Sequence, residues 1–171
     1  MKELKADLFE CIKGAETDAI VITTNGQYTT DGKACMGGGC ARQCADRWPE
    51  TSFRLGKCLK NFNINVPYVI GALDEDGEYV EPNLRLIKER KFKTLILSFP
   101  TINNLLDGAN LNLVRDSAIE LKKMVDRFEL RGVVCPRPGV GIGNLQWSDV
   151  KPIIEEYFDD RFTIVSFDHE E

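Results

Sequence analysis

The chain has 171 residues, of which 22 are Lys or Arg and 27 are Asp or Glu, so its net charge is −5. This length predicts one domain over residues 1–171, and the acidic balance argues against a protein that binds nucleic-acid phosphates through a basic face. Because the sequence has no apolar run of about 18 residues and no signal-like N-terminus, we expect a cytoplasmic monomer that does not bind membranes.

Short apolar runs alternate with helical periodicities along the chain. Alternation of apolar and charged residues predicts a half-buried strand over Leu4–Leu8, and a continuous apolar run predicts a buried strand over Ala19–Ile22. Behind the glycines 37–39, apolar residues at helical spacing predict a helix that Pro49 ends. The later predicted elements are a hairpin of Tyr68–Leu73 and Tyr79–Val80, strands at Thr94–Ser98, Val133–Cys135 and Phe162–Phe167, and a helix over Val114–Phe128.

The boundaries of the later elements follow from their flanking residues. We expect Pro100 to stop the Thr94 strand and Gly132 to stop the preceding long helix. Ser148 is expected to cap a further helix, with Pro152 in its first turn. Alternating strands and helices imply a layered α/β domain with helices on both faces of a sheet.

The six cysteines do not form a pattern that indicates disulfides or a metal site. Cys35, Cys40 and Cys44 include no CxxC pair, and the one histidine, His169, lies in a polar tail. We therefore expect free thiols, no metal and no cofactor.

Two glycine-rich segments are candidates for binding phosphate. Gly37-Gly38-Gly39 precedes a predicted helix, whose N-terminal amides attract anions. Gly139-Val140-Gly141-Ile142-Gly143 follows a predicted strand, but its GxGxG spacing differs from the dinucleotide fingerprint, and neither segment is followed by the Lys-Ser/Thr of a P-loop. The sequence predicts two phosphate-binding loops at the carboxyl edge of the sheet.

Four further residues are candidates to bind the rest of a nucleotide. The amide of Asn25 can donate to and accept from a ribose diol, or else shape the turn before Gly26. Asp7 could accept from a purine amine or remain a solvated charge. Phe99 and Phe167 could stack on a base or pack in the core.

In this order, the residues resemble the macro domain, an ADP-ribose-binding module. The resemblance covers the chain from Asp7 almost to its end and points to the branch that holds terminal ADP-ribose protein glycohydrolase and the antitoxin that removes ADP-ribose from DNA. The motifs that carry it are Ala6-Asp7-Leu8, Asp18–Asn25, Met36–Ala41, Phe99-Pro100-Thr101 and Pro136–Trp147.

The resemblance implies a three-layer α/β/α fold, with a mixed and largely parallel sheet between helices, and an ADP-ribose site. Adenine would face Asp7 and Leu8, the diphosphate would lie between the two loops, and Asn25 would face the distal ribose and orient a catalytic water. The implied binding residues are Asp7, Leu8, Asn25, Gly37, Gly38, Gly39, Cys40, Gly139, Val140, Gly141, Ile142, Gly143, Asn144 and Phe167.

The branch's lysine and aspartate fall on Ala45 and Gly143, neither of which can transfer a proton. We therefore expect ADP-ribose binding with hydrolysis of an ADP-ribose derivative by a positioned water. Such derivatives include ADP-ribose 1″-phosphate, an acyl ester or an ADP-ribosyl conjugate. The alternative is a binding or sequestering module without turnover.

Overall fold

The computed structural model describes residues 1–167 and contains a mixed seven-stranded sheet with helices on both faces. The strands are β1 (Lys2–Lys5), β2 (Ala19–Asn25), β3 (Val69–Leu73), β4 (Tyr79–Val80), β5 (Thr94–Ile102), β6 (Val133–Pro136) and β7 (Phe162–Ser166). The helices are α1 (Gly39–Arg47), α2 (Glu50–Asn61), α3 (Leu84–Lys88), α4 (Leu111–Arg127) and α5 (Trp147–Glu155), with a 3-10 turn at Glu10–Lys13. The strand order is β1-β7-β6-β2-β5-β3-β4, and within the described sheet β3 is the one strand that runs opposite to the other six.

The two faces of the sheet are covered by different helices. Successive side chains of a strand point to opposite faces, so Ala19 and Val21 pack with α4 and α5, whereas Ile20 and Ile22 pack with α1 and α2. The predicted three-layer α/β/α class is therefore confirmed. None of the helices within residues 1–167 is long and apolar enough to cross a membrane.

The first strand differs from its prediction. It covers Lys2–Lys5 instead of Leu4–Leu8, and its four residues are exposed, with Leu4 at 53%. β1 forms the edge of the sheet and pairs only with β7, so the alternation of its side chains does not correspond to a buried face. Asp7 consequently lies in the turn after the strand and not at its end.

Pro100 does not end its strand, because β5 continues to Ile102. Beyond Ser98 the strand pairs with β2 alone, so a residue without an N–H is tolerated there. Phe99, offered above as a stacking residue, is fully buried and contacts Phe158 edge to face. It belongs to the core and not to a ligand site.

Two helix boundaries also differ from the prediction. α4 ends at Arg127, and Gly132 instead allows a close backbone approach, since a Cβ there would lie 1.8 Å from the carbonyl oxygen of Glu16. α5 begins at Trp147, so Ser148 lies inside the helix and Pro152 lies beyond the first turn. The observed cap residues are Phe128 for α4 and Gln146 for α5, and neither is a residue type that local sequence rules favour at that position.

Candidate functional site

A large cleft lies at the carboxyl ends of the parallel strands. Its volume is about 1210 Å³, and it is lined by the ends of β2, β5, β6 and β7 together with both glycine loops. This is the edge at which open α/β sheets bind ligands. Of the predicted site residues, the cleft brings together Leu8, Asn25, Gly37, Gly38, Gly39, Cys40, Gly139, Val140, Gly141, Ile142, Gly143 and Phe167.

The first glycine loop presents the N-terminus of α1 to the cleft. Gly38 is the N-cap, in extended conformation, and no side chain caps the helix. Gly39 has a φ of +56°, which favours glycine. The first amides of α1 have no intrahelical acceptor, and such helix N-termini are suited to anions because of the helix dipole.

The second glycine loop follows β6 and folds back on itself. Gly139 has a φ of +74°, its carbonyl accepts from Leu145 N at 2.9 Å, and the carbonyl of Gly141 accepts from Asn144 N at 3.0 Å. Asn144 itself has a φ of +63° and, unlike the preceding loop residues 139–143, is not among the described residues that line the cleft.

Ile142 connects the two loops across the cleft. A Cβ on Gly38 would lie 2.5 Å from Ile142 Cδ1, and one on Gly39 would lie 3.5 Å from it. Ile142 is nevertheless 70% exposed, because it lies at the opening between the loops.

Asn25 is occupied by contacts within the protein. Its Nδ2 donates to the carbonyl of Cys35 at 2.8 Å, and its Oδ1 accepts from Gln27 N at 2.9 Å. The second bond is an Asx turn. The amide thus ties the end of β2 to the segment that leads into the first glycine loop, while one amide hydrogen and one lone pair remain for a ligand.

Of the residues predicted to bind adenine at the other end of the cleft, two line the cleft and one does not. Leu8 is buried and Phe167 is 62% exposed, and both line the cleft. Asp7 is not among the described lining residues, and its Oδ1 accepts from Phe9 N at 2.7 Å and Glu10 N at 3.3 Å. Its second carboxylate oxygen is the atom that could reach a ligand.

The site residues predicted from sequence omit several residues that line the cleft. They include Thr23, Thr24, Met36, Thr101, Arg137 and Ser166. Most of them lie at the carboxyl ends of β2, β5, β6 and β7, so their signal was present in the strand predictions. The strand order, which the sequence did not reveal, is what places them together.

The cleft contains few groups that can transfer a proton. Within the part of the chain that the structure describes, its lining includes no Asp, Glu, His or Lys, and Arg137 is its one charged residue. Burial raises the pKa of the Cys40 thiol, although contact with the Thr23 hydroxyl at 3.3 Å opposes that effect. Cys40 is therefore a thiol at neutral pH and a poor nucleophile.

Ala45 and Gly143, which stand at the positions of the branch's lysine and aspartate, both line the cleft. A Cβ on Gly143 would lie 2.6 Å from both Ala109 Cβ and the Gly139 carbonyl oxygen, so no side chain fits there without movement of the loop. Among residues 1–167, no three His, Cys, Asp or Glu side chains are grouped to hold a metal ion.

Solved structures share this architecture across nearly the whole chain. The macrodomain of Mycobacterium tuberculosis DarG superposes with a TM-score of 0.67 at 24% identity, covering 96% of this chain and 95% of that one. The chain has the macrodomain fold. The macrodomain of Thermus aquaticus DarG gives a TM-score of 0.69 at 21% identity, with 96% and 95% coverage.

A third similar structure contains a ligand. Thermosipho africanus DarTG in complex with ADP-ribose gives a TM-score of 0.71 at 17% identity, covering 95% of this chain and 40% of that one. No family model and no curated protein matches the sequence. The likeness is therefore one of fold, which confirms the α/β architecture that the sequence motifs predicted.

Proposed function

We propose that this protein binds ADP-ribose in the cleft between its two glycine loops. The observation that carries the proposal is the pair of loops, joined across the cleft by Ile142, with the uncapped N-terminus of α1 on one side. Such backbone amides suit a diphosphate and need no lysine. A structure of the same fold, Thermosipho africanus DarTG, holds ADP-ribose, which supports this ligand.

The proposed orientation follows the polarity of the cleft. The apolar end formed by Leu8 and Phe167 suits the adenine ring, and the opposite end beside Asn25 suits the distal ribose. Asp7 would accept from the adenine amine through its remaining carboxylate oxygen. The loop residues would contact the two phosphates between these ends.

The geometry favours binding over turnover. General acid–base catalysis needs a positioned group that can exchange a proton near neutral pH, and the described lining has no carboxylate, imidazole or amine. Asn25, the one catalytic candidate, uses its amide to hold the chain at Cys35 and Gln27. A binding or sequestering role therefore fits the cleft better than hydrolysis by a water that Asn25 orients.

A calorimetric titration with a small panel of ligands tests the proposal. We expect ADP-ribose to bind one per chain, and NAD to bind far more weakly because its nicotinamide occupies the space beside Asn25. Absence of ADP-ribose binding at high micromolar concentrations would contradict the proposal. Equal affinity for NAD would contradict the orientation.

A further inference from the structure

A loop with two exposed leucines lies at the end of the cleft that contains Asn25. This leucine loop comprises residues 103–109, between β5 and α4. Leu105 lines the cleft although it is 52% exposed, and Leu106 is 92% exposed. Neither leucine belongs to the two clusters of packed apolar residues that form the core of the described chain. Both side chains can therefore contact a molecule outside the fold.

Backbone hydrogen bonds fix both ends of the leucine loop beside the cleft. At its start, β2 and β5 pair Asn25 with Ile102, whose carbonyl accepts from Gly26 N at 3.0 Å. At its end, Ala109 N donates to the carbonyl of Gly143 at 3.2 Å. The leucine loop thus connects the end of the cleft beside Asn25 with the second glycine loop.

The turn at the tip of the leucine loop does not depend on the leucine side chains. Asn104 forms this turn, because its carbonyl accepts from Asp107 N at 3.0 Å and its Oδ1 accepts from Leu106 N at 3.1 Å. The side chains of Leu105 and Leu106 take no part in these bonds. Since the leucines contribute neither to the turn nor to the core, the fold itself does not explain two adjacent exposed leucines at the edge of a cleft.

The part of the cleft beside the leucine loop is uncharged. The described lining that β2, β5 and this loop contribute has no Lys, Arg, Asp or Glu, and it consists of Thr23, Thr24, Asn25, Thr101, Ile102 and Leu105. Within residues 103–109, Asp107 is the one charged residue, and its charge is negative. An anionic group would lose water here without gaining a counter-ion, whereas an apolar group would gain contact with the leucines.

We propose that the leucine loop binds an uncharged, apolar group attached to the distal ribose of ADP-ribose, an inference that rests on the proposed function. In the proposed orientation the distal ribose lies beside Asn25, so a group on its anomeric carbon leaves the cleft where Leu105 lines it. Leu105 contacts the part of that group nearest the ribose, and Leu106 contacts its outer part. The preferred ligand is an ADP-ribose glycoside with an apolar substituent rather than ADP-ribose 1″-phosphate.

The experiment compares by calorimetry ADP-ribose and its α-anomeric 1″-O-methyl, 1″-O-benzyl and 1″-phosphate derivatives. The α anomers are chosen because NAD, which is expected to bind weakly, carries its nicotinamide on the opposite face of the ribose. We expect the benzyl glycoside to bind about five- to tenfold more tightly than the methyl glycoside, the gain from burying the equivalent of one to two methylene groups. The 1″-phosphate should bind less tightly than the methyl glycoside.

Two leucine variants separate binding by the leucine loop from a general effect of exposed apolar residues. Leu106→Ser should remove most of the gain of the benzyl glycoside and leave the affinity for ADP-ribose within about twofold, because the Leu106 side chain is not packed in the core. Leu84→Ser is the matched control. Leu84 is also 52% exposed but is not among the described residues that line the cleft, so the gain should persist.

The outcomes distinguish this inference from the proposed function. If ADP-ribose binds but the benzyl glycoside binds no more tightly than the methyl glycoside, or the 1″-phosphate binds most tightly, the inference is wrong and the proposed function stands. A gain that persists in Leu106→Ser also contradicts the inference, since the benzyl group then binds elsewhere. If ADP-ribose itself does not bind, the proposed function fails and this inference fails with it.

Discussion

At Gly143 the space beside the Cα is filled by Ala109 Cβ and the Gly139 carbonyl oxygen, each 2.6 Å from where a Cβ would lie. Gly143→Ala should therefore displace the second loop and lower the free energy of unfolding by about 1–3 kcal/mol. Urea unfolding measures the change. Gly141→Ala is the matched control, since nothing lies within 4 Å of its Cβ position. Equal stability of the two variants would contradict this description of the loop.

The same crowding at Gly143 affects any attempt to restore the lysine and aspartate of the branch. Ala45→Lys places a side chain in the open cleft, but Gly143→Asp meets the Ala109 contact. The double variant is therefore a test of loop repacking as much as of chemistry.

Asn25 has two proposed roles, contact with the ligand and anchoring of the chain at Cys35 and Gln27. Asn25→Ala removes the bonds to Cys35 and Gln27, so we expect a loss of about 1–3 kcal/mol in stability together with weaker ADP-ribose binding. Asn25→Asp keeps the acceptor for Gln27 N and should retain part of the stability. Thermal unfolding and calorimetry on both variants measure these effects. An Asn25→Ala protein with unchanged melting temperature and affinity would rule out the anchoring role.

Part of the cleft lining was predictable from sequence. The two glycine loops could be recognised from sequence because residues other than glycine rarely adopt a φ such as +56° at Gly39 or +74° at Gly139. The turn at Asn25 was predictable because its partner Gln27 is two residues away, whereas its bond to Cys35, ten residues away, was not. Arg137 lies in a quoted motif but was not named as a site residue, because nothing in its local sequence shows that it lines the cleft.

At the scale of elements, periodicity predicted the buried strands and α1 but not α2. Pro49 ends α1 and is also the N-cap of α2, and the sequence revealed only the first of these effects. α3 has five residues, too few for a helical period to be seen. β1 was misplaced because an exposed edge strand has no buried face to set its pattern.

The end of the sheet opposite the cleft depends on one buried carboxylate. Asp18, just before β2, accepts from Arg131 N at 2.7 Å and from Arg90 Nη2 at 3.0 Å. Burial raises its pKa, but the hydrogen bonds from Arg131 and the charges of Arg131 and Arg90 outweigh this and lower the pKa below its ordinary value.

Because the pKa of Asp18 is lowered in the folded state, its carboxylate stabilises the fold fully above the unfolded pKa, about 3.9. This stabilisation is lost as the pH falls through the folded pKa. Asp18→Asn should lower stability at pH 7 by about 1–3 kcal/mol and flatten the decline below about pH 4. Urea unfolding across this range measures both. Asp46→Asn, whose exposed carboxylate lies 3.9 Å from Arg42, is the control and should behave as wild type. An unchanged acid profile for Asp18→Asn would contradict the assignment.

At the scale of the whole molecule, a net charge of −5 is compatible with an anionic ligand because backbone amides carry the proposed binding. The described cleft lining has no carboxylate, imidazole or amine, so we expect release of ADP-ribose from ADP-ribosylated DNA or glutamate to be slow or undetectable. Incubation with these conjugates and with ADP-ribose 1″-phosphate, followed by quantification of free ADP-ribose, measures this. Rapid turnover would show that a group outside the described lining supplies the chemistry.

The most direct test of ADP-ribose binding between the two glycine loops is amide chemical-shift mapping by NMR during an ADP-ribose titration. We expect the largest shifts at the backbone amides of residues 37–41 and 139–144, with smaller shifts at Leu8 and Phe167 and none around Asp18. Saturation should occur at one ligand per chain. Unperturbed loop amides, or shifts confined to another surface, would contradict the proposed site.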